Sequence, residues 1–195
     1  QLNALKIYQN LISFHDKTKN DNAFVLVEIE RLQFLKQQAN FEGKNELYLE
    51  KLIALKNEFN THEASALVGF EIAQVFNIEA NAYIPITSTE HQFKNTEALK
   101  ICNSTIDNFP ESLGAKKCQN LKTIILQSTL SITAEQHIPT NLNSKFLVTY
   151  KNINSLFTDI YKISENEIHK NKIENKKKTQ KKKKTEKSKI FACSN

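Results

Sequence analysis

Two cysteines offer the clearest covalent chemistry in this sequence. Cys102 and Cys118 each lie eight residues from Pro110, on opposite sides of a predicted turn between two helices. Antiparallel helices fold back around such a turn, so the two thiols are expected to face each other at the same level. A disulfide also needs suitable Cα spacing and Cβ directions, and the alternative is two small buried thiols that fill a tight helix contact. Cys102 and Cys118 are therefore a candidate disulfide, with both outcomes open.

The other reactive side chains form no pattern typical of a metal or catalytic site. His15 precedes Asp16 and His62 precedes Glu63, but neither has a second His or Cys at a helical ligand offset. His137 lies in a predicted turn. The sequence has no nucleophile elbow, and its 3 glycines are too few for a phosphate-binding loop. We therefore expect capping or solvent-facing histidines, no catalytic residues, no metal, no cofactor and no enzymatic activity.

The basic charge of the chain is concentrated at its C-terminal end. Residues 165–195 hold 11 Lys and 4 acidic residues, whereas the preceding residues hold 16 basic and 17 acidic ones. A segment this polar cannot bury enough apolar surface to offset its ordering entropy, so we predict a disordered Lys-rich tail over 164–195. The lysine runs lack arginine and interleaved aromatic residues, so no specific nucleic-acid partner is expected. Charge-driven binding to nucleic acid or anionic membrane is the alternative.

Apolar residues recur at helical spacing up to Leu126. Residues 77–95 interrupt this pattern as a long connection, which is either functional or an insertion. Pro110 is expected in the first turn of the last helix. The predicted helices cover residues 2–14, a segment capped by Asp21 or Asn22, a segment capped by Asn45 after Gly43, a segment opening at Thr61, and residues 96–108 and 111–126.

The helix at 96–108 has features of a tetratricopeptide repeat. If residues 77–95 are an insertion, the matching first helix carries Leu67, Gly69 and Phe70. No strict repeat period runs through residues 1–126, so we predict a mainly α region of degenerate, tetratricopeptide-like helical hairpins. Four residues match the alanine, bulky, small and proline offsets of the second repeat helix, although alanine is more usual than threonine at the third: Ala98, Cys102, Thr105 and Pro110.

The hydrophobic period changes from helical to alternating near Gln127. Leu130 and Ile132 alternate with polar residues, and Phe146, Val148 and Tyr150 do the same. We predict antiparallel strands over 129–135, 145–151 and 156–163, joined by turns. An immunoglobulin-like sandwich needs about seven strands, so this β segment is expected to be incomplete.

Residues 109–135 read FPESLGAKKCQNLKTIILQSTLSITAE, and residues 146–163 read FLVTYKNINSLFTDIYKI. Their most specific pieces are FPES with GAK, LSIT, and YKN followed by IYK. On these pieces, residues 98–163 resemble the N-terminal region of bacterial α2-macroglobulin-like proteins, in particular the long form from Bacteroidetes. In that family a helical, tetratricopeptide-like region precedes the first macroglobulin domain, an immunoglobulin-like sandwich. The positions expected to matter structurally are Phe109, Pro110, Gly114, Leu130, Ile132, Tyr150 and Tyr161.

The resemblance implies an N-terminal fragment of an endopeptidase inhibitor that traps proteases after they cleave its bait region. Many members also carry a Cys-Gly-Glu-Gln thioester motif, which the residues after Cys102, Cys118 and Cys193 exclude here. The implied domains are a helical region at 1–126, the first strands of a truncated macroglobulin domain at 128–163, and the basic tail. The implied partners are target proteases of the full-length protein, in the periplasm or cell envelope. Membrane attachment is implied only through an upstream anchor.

The chain begins at Gln1 and contains no Met, so we expect either a processed chain or an internal fragment of a longer protein. After Ser164 the sequence departs from the family, as a frameshift or a truncated gene would produce. The alternative function is a tetratricopeptide-like interaction module with a protein partner on its helical surface. The change of period at Gln127 favours the inhibitor, because a free-standing helical adaptor needs no sheet.

Overall fold

The computed structural model describes residues 2–84, 87–135, 143 and 145–159. Within these residues, six helices precede a two-stranded antiparallel sheet, which confirms the mainly helical class with a small β segment. Residues up to Ile153 belong to one compact unit. The elements are α1 Leu2–Thr18, α2 Asp21–Gln38, α3 Lys44–Glu58, α4 Ser65–Asn81, α5 Lys94–Asn108, α6 Leu113–Leu126, β1 Thr129–Ala134 and β2 Phe146–Lys151.

Side-chain caps fix the starts of α2 and α6. The Asn20 side chain accepts a hydrogen bond from the backbone N–H of Ala23 at 3.1 Å. The Ser112 hydroxyl accepts one from the backbone N–H of Ala115 at 3.1 Å. Each bond satisfies one of the amides that a helix start leaves unpaired. The predicted caps of α2, Asp21 and Asn22, are wrong by one or two residues.

Helices α3 and α4 start at residues other than those predicted. Gly43 has φ +83°, a left-handed conformation that glycine adopts without a Cβ penalty, and α3 begins directly after it. Asn45 therefore lies inside α3 and does not cap it. In the turns before α4, the His62 Nδ1 accepts a hydrogen bond from the backbone N–H of Ala64 at 3.1 Å, so α4 starts at Ser65 and not at Thr61.

Polar contacts hold the two ends of the α4–α5 connection together. The connection covers residues 82–93, shorter than the predicted 77–95, because both flanking helices extend into it. The Lys94 Nζ lies 3.3 Å from Glu79 Oε2 and 3.2 Å from Glu97 Oε2. It also lies 4.7 Å from the centre of the Phe76 ring. These contacts set the antiparallel arrangement of α4 and α5 despite the long connection.

Two hydrophobic cores share α4. The first lies among α2, α3 and α4, with Val25, Leu52 and Val68 fully buried. The second lies among α4, α5 and α6 and contains Ala73, Ala98, Cys102, Cys118 and Leu121. Helix α1 contributes no buried residue to either core. α4 is therefore the central helix of the array.

Two glycines allow helices to approach closely. A Cβ on Gly69 of α4 would overlap Thr105 Oγ1 of α5. A Cβ on Gly114 of α6 would overlap the backbone of Ala66 in α4. The absence of a side chain at these positions lets α5 and α6 both pack tightly on α4.

The β1–β2 sheet has one apolar and one mainly polar face. In its register, Leu130 pairs with Tyr150 and Ile132 pairs with Val148. The predicted third strand is wrong for residues 156–159, which have no regular secondary structure. Residues 160–163, including Tyr161, and the predicted tail at 164–195 lie outside the described residues.

Candidate functional site: the helix–sheet junction and the apolar sheet face

The β hairpin is anchored to the C-terminal end of α6 by side-chain hydrogen bonds. The Asn152 Nδ2 donates to the carbonyl oxygens of Ile125 at 2.8 Å and Gln127 at 3.3 Å. The Lys151 Nζ donates to the Ile124 carbonyl at 3.2 Å. Because the last carbonyls of a helix have no intrahelical donors, these bonds cap α6. We call this set of contacts the junction.

The backbone of Asn152 explains its place in the junction. Its φ of +53° is left-handed, a conformation that asparagine tolerates better than most residues. The Ser128 hydroxyl donates to the Asn152 carbonyl at 2.9 Å, which closes the base of the hairpin. The sequence predicted only a turn after this strand. An asparagine directly after a strand was the available signal, but its partners on α6 were not predictable.

The apolar sheet face consists of alternating residues from both strands. Ile132 is 50% exposed and Tyr150 is 64% exposed. Apart from the junction with α6, no described helix packs against the sheet. A two-stranded hairpin is only marginally stable alone, so burial of this apolar face would stabilise it. The face contains Leu130, Ile132, Ala134, Phe146, Val148 and Tyr150.

The structure brings the two predicted cysteines together as free thiols. Cys102 and Cys118 are both fully buried in the α4–α6 core. A hydrogen bond from Cys118 lowers the pKa of Cys102, whereas the same bond and burial raise the pKa of Cys118. The disulfide stays a prediction. Mass analysis with and without reductant tests it, and free thiols at both positions in the non-reduced protein would exclude it.

A polar cluster that sequence analysis missed links α2, α3 and α4. The Gln33 Nε2 donates to Glu71 Oε2 at 2.8 Å. Burial and the neighbouring Glu71 raise the pKa of Tyr48 to about 12, although a hydrogen bond with Gln33 opposes the shift. Burial also raises the pKa of Glu71, against the opposing effects of Gln33, Lys117 and Lys36. These groups join helices, and they include no Ser, Cys or His that could act as a nucleophile.

The other residues singled out in the sequence take part in turn hydrogen bonds and a ring contact. The backbone N–H of Phe109 donates to the Thr105 carbonyl at 3.1 Å, and the backbone N–H of Ser112 donates to the Phe109 carbonyl at 3.0 Å. Pro110 lies in this turn and not in the first turn of α6 as predicted. His15 stacks edge-on against Phe14 at 5.2 Å. The described part of the chain has no group of three metal-ligating side chains, and His137 lies outside it.

Comparison of the chain with models of protein families, curated proteins and solved structures finds no match. In the ranges that the structure describes, no helix combines the length and apolar character needed to cross a membrane.

Proposed function

We propose that this chain is the N-terminal scaffold part of an α2-macroglobulin-like endopeptidase inhibitor. One observation carries the proposal: an amphipathic hairpin follows the helical region directly and, among the described residues, no helix packs over its apolar sheet face. In the parent protein this face packs against further strands of the first macroglobulin sandwich, and the helices precede that domain.

In this proposal the chain supplies architecture and no reaction. It has neither a bait region nor a thioester, uses no cofactor or metal, and does not act as an enzyme. The partners are proteases captured by the whole protein in the periplasm or cell envelope. Contact with a membrane comes only through an anchor upstream of Gln1, and the lysine-rich end recognises no specific nucleic acid.

The first test is the coding DNA beyond Ser164, read in all three frames. The proposal expects a frame that continues with alternating strands. The parent protein should then slow a protease on large protein substrates much more than on small peptides, because the trapped enzyme is enclosed. If no frame encodes a β pattern, or if digestion of large substrates is unchanged, the proposal is wrong.

The second candidate function is a tetratricopeptide-like interaction module. The close approach of Gly69 to Thr105 favours it, because small residues at a helix-pair contact are typical of such repeats. Ala98 and Cys102, which match the repeat offsets, are also buried. Substituting Ile132→Asp in the parent protein distinguishes the two candidates. If the chain is part of an inhibitor, the substitution should abolish protease trapping. If it is an interaction module, partner binding by the helices should be unchanged.

A further inference from the structure

A concave groove lies between α2 and α3, and its lining is mainly apolar. Its volume is about 410 Å³. Phe41 is 53% exposed at its rim. We call it the α2–α3 groove; its main apolar lining is Leu32, Leu35, Phe41, Leu47, Tyr48 and Leu55.

The edges of the α2–α3 groove are positively charged. Of its two lining carboxylates, Glu28 is paired with Arg31 at 2.8 Å, which leaves Glu58. The Lys36 Nζ lies 4.6 Å from the centre of the Tyr48 ring, and its charge also acts on Glu71. The Lys44 Nζ donates a hydrogen bond to the Ala39 carbonyl at 2.9 Å. Lys51 pairs only with the exposed Glu50, a surface contact of little energetic value. Three lysines therefore surround the apolar lining: Lys36, Lys44 and Lys51.

We propose that the α2–α3 groove binds an acidic amphipathic helix of a partner protein. The lining residues run from Glu28 to Lys36 of α2 and from Lys44 to Glu58 of α3, about 12 to 21 Å at 1.5 Å per residue. That length matches about three turns of a ligand helix, whose apolar side chains at i, i+3 or i+4, and i+7 enter the groove. Glutamate or aspartate beside those anchors then faces the lysines.

A second copy of this chain is the less suitable occupant. The exposed apolar face of α1 could in principle enter the groove, with Leu2, Ile7 and Phe14 all more than half exposed. However, α1 carries Lys6 and Lys17 and no acidic residue in its first turn. Its charge does not complement the lysines of the groove, so an acidic helix from another protein is favoured.

This inference rests on the second candidate function and is independent of the inhibitor proposal. The probe is a fluorescent synthetic helix of about four turns, with leucine at the anchor spacing and glutamate and alanine elsewhere. One control peptide replaces glutamate by lysine, and another scrambles the leucines. Binding of each peptide to the full chain is measured by fluorescence anisotropy at several salt concentrations.

Two residues of α3 provide a matched pair of variants. Leu47 lines the groove and is 42% exposed, whereas Ile53 lies outside the groove and is 43% exposed. Leu47→Glu should weaken binding of the acidic peptide by about tenfold or more, because it removes an apolar contact and adds repulsion. Ile53→Glu should leave affinity unchanged. Circular dichroism of both variants checks that the helices are retained.

The charges are tested separately from the apolar contacts. Lys51→Glu should weaken binding of the acidic peptide by about twofold to fivefold and reduce its dependence on salt. Absence of saturable binding, equal binding of the lysine peptide, or equal effects of Leu47→Glu and Ile53→Glu would each overturn the proposal. Self-association of the chain that Leu47→Glu abolishes would instead assign the groove to a second copy. Failure of these peptide tests leaves the Ile132→Asp comparison of the two functions unaffected.

Discussion

Asn152 joins the helical region to the sheet through both its side chain and its backbone. Its amide caps α6, and its left-handed φ turns the chain after β2. Glycine adopts this φ freely but lacks the amide, whereas alanine lacks the amide and pays a steric cost as well. These two substitutions therefore separate the contribution of the hydrogen bonds from that of the backbone conformation.

We predict that Asn152→Gly lowers the local stability of the hairpin by about 1 to 2 kcal/mol, from two lost hydrogen bonds. Asn152→Ala should cost roughly 1 kcal/mol more because of left-handed strain. Amide exchange of Leu130 and Ile132 by NMR measures both effects. Equal exchange in the two variants would mean that the backbone conformation contributes nothing, and wild-type rates in both would contradict the junction.

Tyr48 makes a prediction about alkaline pH. Its pKa is raised from 10.0 to about 12 in the folded protein. Its contribution to stability is therefore fully present below pH 10 and is lost as the pH rises from 10 to 12, where only the unfolded chain ionises it. Two pH units correspond to at most about 2.7 kcal/mol. The free energy of unfolding, measured by urea titration at each pH, should depend differently on pH over this range in the wild type and in Tyr48→Phe. The same pH dependence in both proteins would contradict the raised pKa.

The sequence predicted the surroundings of some residues and not of others. Cys102 and Cys118 lie at equal sequence distances from Pro110, and this was enough to place both thiols in one core. The number of residues from the turn determines how far along its helix each thiol lies. The partners of Asn152 and Tyr48 were not predictable. Each contact joins residues far apart in the chain, and no local periodicity encodes such a pair.

At the scale of elements, all six helices were predicted, but several of their ends were not. Helical periodicity identifies the segments, whereas caps determine where they begin. Gly43, with its left-handed φ, precedes α3 in place of the expected Asn45 cap, and a turn in which the Ala64 N–H donates to His62 Nδ1 precedes α4 in place of a start at Thr61. The ends of α4 and α5 extend into the predicted connection, where Lys94 of α5 pairs with Glu79 of α4, a contact that depends on the packed helices.

The α4–α5 contact is tested by substitutions at Gly69 and Thr105. Gly69→Ala should destabilise the protein by about 1 to 3 kcal/mol, because its Cβ overlaps Thr105 Oγ1. In the Thr105→Ala background the same change should be neutral or stabilising, since the Thr105 Cβ lies at an ordinary contact distance of 3.5 Å and alanine favours the helix. Denaturant unfolding of all four proteins gives the coupling energy. Additive effects would mean that the two helices are not in this close contact.

At the scale of the whole molecule, the helices and the sheet differ in how they are stabilised. The helices have two shared cores around α4, whereas the described sheet has only its own ladder and the junction. Alternation predicted both observed strands, because their apolar residues share one face. It failed for residues 156–159, since a strand also needs a hydrogen-bonded neighbour, which sequence alternation does not supply.

Hydrogen exchange of the chain, followed by mass spectrometry, tests most directly whether the sheet is an incomplete layer with an uncovered apolar face. Amides of β1 and β2 should exchange at least about a thousandfold faster than those of α4, because local opening of an uncovered hairpin needs far less free energy than global unfolding. Strand amides that exchange as slowly as α4 would contradict the account, since the sheet would then be a complete and independently stable unit.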